Sequence, residues 1–319
     1  MSTIRSLTAA GVTAAGLFAA VAPVSAAPAP APKPVSTPTS VAVYAGPAAT
    51  RQSIVLDPTA GSKAAPTAKF AVTYVGFTAE AKAAFQRAVN TWSKTLTTSV
   101  PITVRANWEP LGTGILGSAG PSYGWNCSGL MCIDAIANKK AGHQLDAAPD
   151  IVAHFSSNFT NWWFGTGPAP VGKYDFQSVV THELGHGVGF LGLGHITSGL
   201  GSVQMSGLNT AYDRATKLGP LSTSALLWKM PDNSVTLANA LTSNKVYFDS
   251  AKVRAANGSK AAKLYAPSTW RQGSSYSHLD ETTFPKGNAN SLMTYAISDG
   301  ETIRTPGPVA VALLKSIGW

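Results

Sequence analysis

His182-Glu183-Leu184-Gly185-His186 sets two imidazoles four residues apart, with a carboxylate directly after the first. On an α-helix such a pair stacks on one face, so both rings can reach a single metal ion. Glu183 would then lie where it can take the proton of a water that the ion polarises. Histidine is scarce here, six in 319 residues. The chance of meeting this spacing at random is on the order of one in a hundred. A merely packed pair of helical histidines is the weaker reading.

Catalytic zinc takes three protein ligands and leaves one position open. Where the motif runs on to a third histidine, Gly189 marks the turn that ends the helix and the ligand falls at position 192. That position is Gly192. Among the other histidines, His195 would serve if the turn were three residues longer. His278 would serve if residues 192–272 formed an excursion that returns to the site, at a closure cost that grows only with the logarithm of its length. Spacing alone leaves both open. His154 falls on a strand-like run and reads as structural or close to a substrate edge.

His182-Glu-Leu-Gly-His-Gly-Val-Gly-Phe190, Ser277-His-Leu-Asp-Glu281, Ser291-Leu-Met-Thr-Tyr295 and the closing Pro306–Trp319 segment resemble the leishmanolysin branch of the metzincins. The resemblance covers roughly residues 150–319. It implies a zinc endopeptidase in which His278, displaced by a long insertion, joins His182 and His186 as the third ligand, with His195 the alternative. It makes Met293 the methionine of the turn beneath the metal. Two departures stand out: leishmanolysins are rich in cysteine whereas this chain has two, and Tyr295 two residues after Met293 resembles the astacin and serralysin turn. In those families the tyrosine ligates zinc or steadies the oxyanion; ordinary packing is the equal alternative for Tyr295.

Composition sets the frame for these residues. Hydrophobic residues make up 45% and charged residues 12%, about half the roughly 25% charged content of an average globular chain. The net charge of +9 is scattered rather than massed on a basic face, which argues against nucleic acid. Residues 1–26 read as a secretory signal: Arg5, an apolar stretch, then Val24-Ser25-Ala26 before the cut. Residues 27–68, rich in Pro, Ala and Thr, read as a linker or short propeptide. Cys127 and Cys132 would close one small disulfide loop in an oxidising compartment.

The catalytic domain is then expected over residues 69–319, with 192–272 as its insertion. Alternation over 69–75, 100–108 and 150–155 predicts strands, and the apolar face of 78–96 predicts a helix. Asp175 is placed to cap the helix 176–187. Short helices are expected near Ala225 and Ala238, a loop around Cys127, and a last helix after Pro308. The fold class expected is α+β, a metzincin-like two-lobed protease with a twisted sheet, an active-site helix, a Met-turn and a C-terminal helix. Its substrate would pair with residues 150–155 as the edge strand, and Trp162 and Trp163 read as core rather than cleft lining.

The function expected is a secreted zinc endopeptidase in which Glu183 activates water and Tyr295 helps to hold the oxyanion. The alternative is an exported, non-catalytic zinc-containing binding module, against which the intact Glu183 argues. The partners expected are protein or peptide substrates, with no nucleic acid, no stable membrane insertion after signal removal, and a monomeric chain.

Overall fold

The structure, a computed structural model, describes residues 33–36, 38, 40–55 and 67–319. The signal-peptide expectation for residues 1–26 falls outside them. The elements that position the His182–His186 motif are β1 Pro34–Ser36, β2 Val41–Ala45, β3 Ser53–Val55, β4 Phe70–Val75, α1 Ala79–Thr95, β5 Ile102–Glu109, β6 Ile115–Pro121, β7 Gly124–Cys127, β8 Leu130–Ile133, α2 Asp134–Ala141, β9 Ile151–Ser156 and α3 Phe176–Gly187. Further on come Ala296–Ile297, Glu301–Ile303 and the C-terminal helix Gly307–Ile317. The class is mixed α+β, and the described residues pack as one unit.

The main sheet has six strands in the order Ala296–Ile297, β2, β6, β9, β5, β4. Strands β4, β5 and β9 are mutually parallel, whereas β6 runs antiparallel to β9 and to β2. Helices α1 and α3 pack together, joined by the Trp92 indole N–H donating to the Thr181 carbonyl at 2.9 Å. The face of α1 read from its periodicity, Ala84, Phe85, Ala88, Val89 and Trp92, is buried. A side chain at Gly187 would collide with Ile151 of β9, so a bare position lets α3 lie close on the sheet.

Asp175 stands at the N-cap of α3 as expected, but its carboxylate is turned elsewhere. It accepts from Arg304 Nε at 2.8 Å and from the Ser178 hydroxyl at 2.9 Å. The same Ser178 oxygen accepts the Ile303 N–H at 2.8 Å. A buried ion pair thus ties the start of α3 to the strand Glu301–Ile303.

Four expectations need correction. The segment read as a linker or short propeptide over 27–68 contains β1, β2 and β3. Its partners lie far along the chain: β7 for β1, β6 and Ala296–Ile297 for β2, Glu301–Ile303 for β3. Window composition cannot register strands whose pairing is so remote. Residues 150–155 do form a strand, but β9 sits between β5 and β6 and is not an edge. The region of Cys127 is the hairpin β7–β8, closed by the Cys127–Cys132 disulfide. Near Ala225 there is a two-residue strand and a short 3-10 turn, not an α-helix. The helix expected near Ala238 is Val235–Leu241. Trp162 is core, its indole N–H donating to the Ser156 carbonyl at 2.9 Å.

Asp134 at the start of α2 is buried. One carboxylate oxygen accepts the Trp125 indole N–H at 2.7 Å and the other has no partner. Burial, with the nearby Asp150 and Asp146, raises its pKa to about 7. The folded state therefore holds a proton here that the unfolded state releases near 4, so stability falls as pH rises from about 4 to 7. Asp134→Asn keeps the acceptor and removes the charge. Its gain in Tm over wild type should grow across that interval, reach about 2–4 °C and stay flat above pH 7. Thermal melts across the pH series check this.

Candidate metal centre

The three imidazoles of His182, His186 and His278 meet in the interior with no exposed surface. Their Nε2 atoms lie 2.9 Å apart for His186–His182, and 3.2 Å for each of the other two pairs. Each opposite nitrogen is held by a backbone carbonyl. His182 Nδ1 meets Leu292 O at 2.6 Å, His186 Nδ1 meets Phe190 O at 2.7 Å, and His278 Nδ1 meets Ser274 O at 2.7 Å. A carbonyl only accepts, so every Nδ1 carries the hydrogen and every Nε2 presents a lone pair. Burial pushes the His182 imidazole down to about 4 and the other two well below their ordinary value. Three neutral rings therefore aim three lone pairs at one point. That arrangement could hold a metal ion, and it has no hydrogen of its own to fill the centre.

Local sequence explains how the rings arrive. His182 and His186 share a face of α3, and Gly185 between them leaves room for Met293. A β-carbon at 185 would stand 2.8 Å from the Met293 sulfur. Met293 ends the 3-10 turn Ser291–Met293 and is fully buried. Its carbonyl accepts the Leu279 N–H at 2.7 Å, which ties the turn to the residue after His278. Gly189 adopts φ +115°, a region closed to most side chains. Its turn brings the Phe190 carbonyl back to His186.

The position where a compact motif would carry its third histidine is closed by packing. Gly192 lies against the ring of Tyr276, and a β-carbon there would also come within 2.8 Å of the Tyr212 ring. Tyr276 is fixed from the excursion. Its hydroxyl reaches Asp213 at 3.0 Å and Thr216 at 2.8 Å, and its carbonyl accepts from the Tyr212 hydroxyl at 2.7 Å. The excursion thus clamps a residue two places before His278. His195, the alternative, lies outside the cluster, its ring bonded to the Leu193 carbonyl at 2.9 Å. His154 pairs with Glu109 at 2.5 Å.

Glu183 is buried beside the first histidine. One oxygen accepts the Val43 N–H at 3.2 Å and the other has no partner. Burial raises its pKa well above the ordinary carboxylate range, and the Val43 and Ala119 amides pull it partly back. Tyr295 stacks on Tyr265 with ring centroids 4.2 Å apart, and its carbonyl accepts the Tyr44 N–H at 3.2 Å. The contact of Glu183 with β2 carried no signal in the sequence, because nothing near Val43 resembles a motif.

The chain matches no family model, no curated protein and no solved structure. The reading of the site therefore rests on its own geometry.

That geometry separates the two candidate ligands. His278→Ala should weaken binding of a divalent metal by at least about 10–100-fold, the loss typical of even indirect changes around a metal. His195→Ala should leave affinity unchanged. Competition titration with a chromogenic chelator measures both.

Proposed function

We propose that the chain is a zinc-dependent endopeptidase, and that the observation carrying this reading is the triad of bare Nε2 atoms with Glu183 next to it on α3. A tetrahedral centre with bonds of about 2.0–2.1 Å sets its nitrogens roughly 3.3 Å apart. The measured 2.9–3.2 Å lies close to that, and three imidazoles with an open fourth position suit catalytic zinc. When bound, the ion supplies Lewis acidity toward a peptide carbonyl and toward water.

The protein residues do the rest. Glu183, with one free oxygen, takes the proton of the attacking water and hands it to the departing amine. The Leu292 carbonyl holds His182 at Nδ1, and Met293 packs against Gly185 of α3. Tyr295, close by in sequence but stacked on Tyr265, would have to leave that stack to reach an oxyanion. Helix α3 on the sheet, the turn at Met293 and the C-terminal helix support a metzincin-like, two-lobed reading. Among the described residues no helix is long and apolar enough to cross a membrane. The Cys127–Cys132 disulfide fits an exported protein.

Purified protein should hold about one zinc, and any digestion of casein by it should stop once a chelator removes the metal. Glu183→Ala should keep the metal and lose activity by about 10²–10⁴-fold, the usual contribution of a general base. Metal analysis and casein digestion side by side test this, and undiminished turnover by the variant would sink the reading. Export predicts that mature protein starts at or near Ala27, which N-terminal sequencing of the secreted material checks.

A further inference from the structure

A groove of about 790 Å³ lies between the end of α1, the helix Ala251–Ala256 and the start of the helix Gly307–Ile317. It continues into a recess of about 260 Å³ that reaches Trp319, and the two share Thr95, Lys252, Val311 and Lys315. The larger part alone falls within the roughly 300–1,000 Å³ of ligand sites. No residue of the metal centre lines either part. The walls are fixed by hydrogen bonds and close packing. The Ser250 and Ser316 hydroxyls meet at 2.7 Å and join the two helices. The Val309 N–H donates to Asn290 Oδ1 at 2.9 Å. Gly307 has φ +77°, and a β-carbon there would collide with the Ala289 carbonyl.

The chemistry of the groove is divided. Val55, Ala256, Pro306, Val311 and Ala312 give it an apolar inner surface, buried or half-buried. Lys94, Lys252 and Lys315 line it as well, and all three are exposed. Among the described residues that line it there is no Asp, Glu or Arg. Lys252 and Lys315 have no ion-pair partner among the described residues. Like charges gathered round an apolar trough attract anions to it.

Two features decide which kind of anion fits. Phosphate chains are held best by guanidinium forks, and single-stranded nucleic acid by free aromatic faces. The groove has no Arg, and its one ring, Trp319, is already engaged. The Trp319 indole N–H donates to Val188 O at 2.6 Å, and Lys139 sits over the ring at 5.3 Å. A phosphate chain would also leave the apolar surface unused. Carboxylates set among aliphatic side chains match both halves, the acids at the lysines and the aliphatics in the trough.

We infer that this groove is a docking surface for an acidic, aliphatic-rich segment of another polypeptide, separate from the metal centre. The inference goes beyond the protease reading and stands without it, because docking needs neither the ion nor Glu183. Exposed lysines act chiefly on encounter and on salt dependence. The complex should therefore weaken as the screening length shrinks from about 10 Å at 0.1 M salt to about 3 Å at 1 M.

The probe is a short fluorescein-labelled peptide of Glu interspersed with Leu, and fluorescence anisotropy reads its binding. The protein is the full chain carrying Glu183→Ala, so that the probe stays uncut. Lys252→Glu together with Lys315→Glu should weaken binding at least about tenfold, since each reversal turns attraction into repulsion. Lys245→Glu with Lys260→Glu, exposed and outside the groove, changes net charge equally and should cost less than about threefold. Replacing Leu by Ser in the probe should weaken it about tenfold or more, through loss of apolar burial. Equal losses from the two pairs of reversals overturn the inference, because net charge alone would then be binding the probe. Tighter binding of inorganic polyphosphate or a single-stranded oligonucleotide overturns it, as does indifference to Leu or no binding at low salt. Self-association that Lys252→Glu with Lys315→Glu abolishes would make a second copy the occupant and overturn it too. Casein digestion plays no part in these measurements, so this inference and the protease reading fail separately.

Discussion

Three lone pairs within 3.2 Å of one another repel unless a positive charge sits among them. Much of the architecture can be understood as the means of imposing that arrangement. Each ring is oriented by one carbonyl, and the three carbonyls come from separate places: the turn before Met293, the turn after Gly189 and the loop at Ser274. A hydrogen bond at the far nitrogen fixes tautomer and ring angle together. Moving any one of these segments would turn a lone pair aside.

Glycine does much of the positioning. Helix α3 and its exit present bare positions at 185, 187, 189 and 192, and each is met by a different neighbour: Met293, Ile151, Ile317 and Tyr276. The motif helix is therefore gripped on several sides at backbone distance. This also accounts for the displaced third histidine. With Tyr276 seated on Gly192, there is no space for an imidazole at that position, and the excursion that holds Tyr276 delivers His278 instead.

The local features of this design were legible in the sequence. The period of α1, the cap position of α3, the strands β4, β5 and β9 and the final helix all follow from neighbouring residues. So did the first two members of the histidine cluster. What escaped was pairing over long distances. Val41–Ala45 reads as part of a Pro/Ala-rich arm because its partners lie more than 70 and 250 residues away. Residues 150–155 announce a strand by alternation, but alternation does not say which strands flank it, and the true neighbour on that side is β6. His278 and His195 could not be separated by spacing, since chain entropy discriminates little between a short loop and a long one. Packing at Gly192 and Tyr276 decides between them.

His278 follows His186 by 92 residues, and this has a consequence for the order of assembly. During synthesis at about 5–20 residues per second, a two-histidine half-site exists for several seconds before its third member is made. A metal ion captured early would be weakly held, and capture becomes firm only once the Tyr276 clamp has formed. A bound ion would then tie the ends of that long loop together much as a cross-link does, restricting the unfolded chain as well as ordering the folded one. Metal content would thereby record whether residues 192–272 have folded.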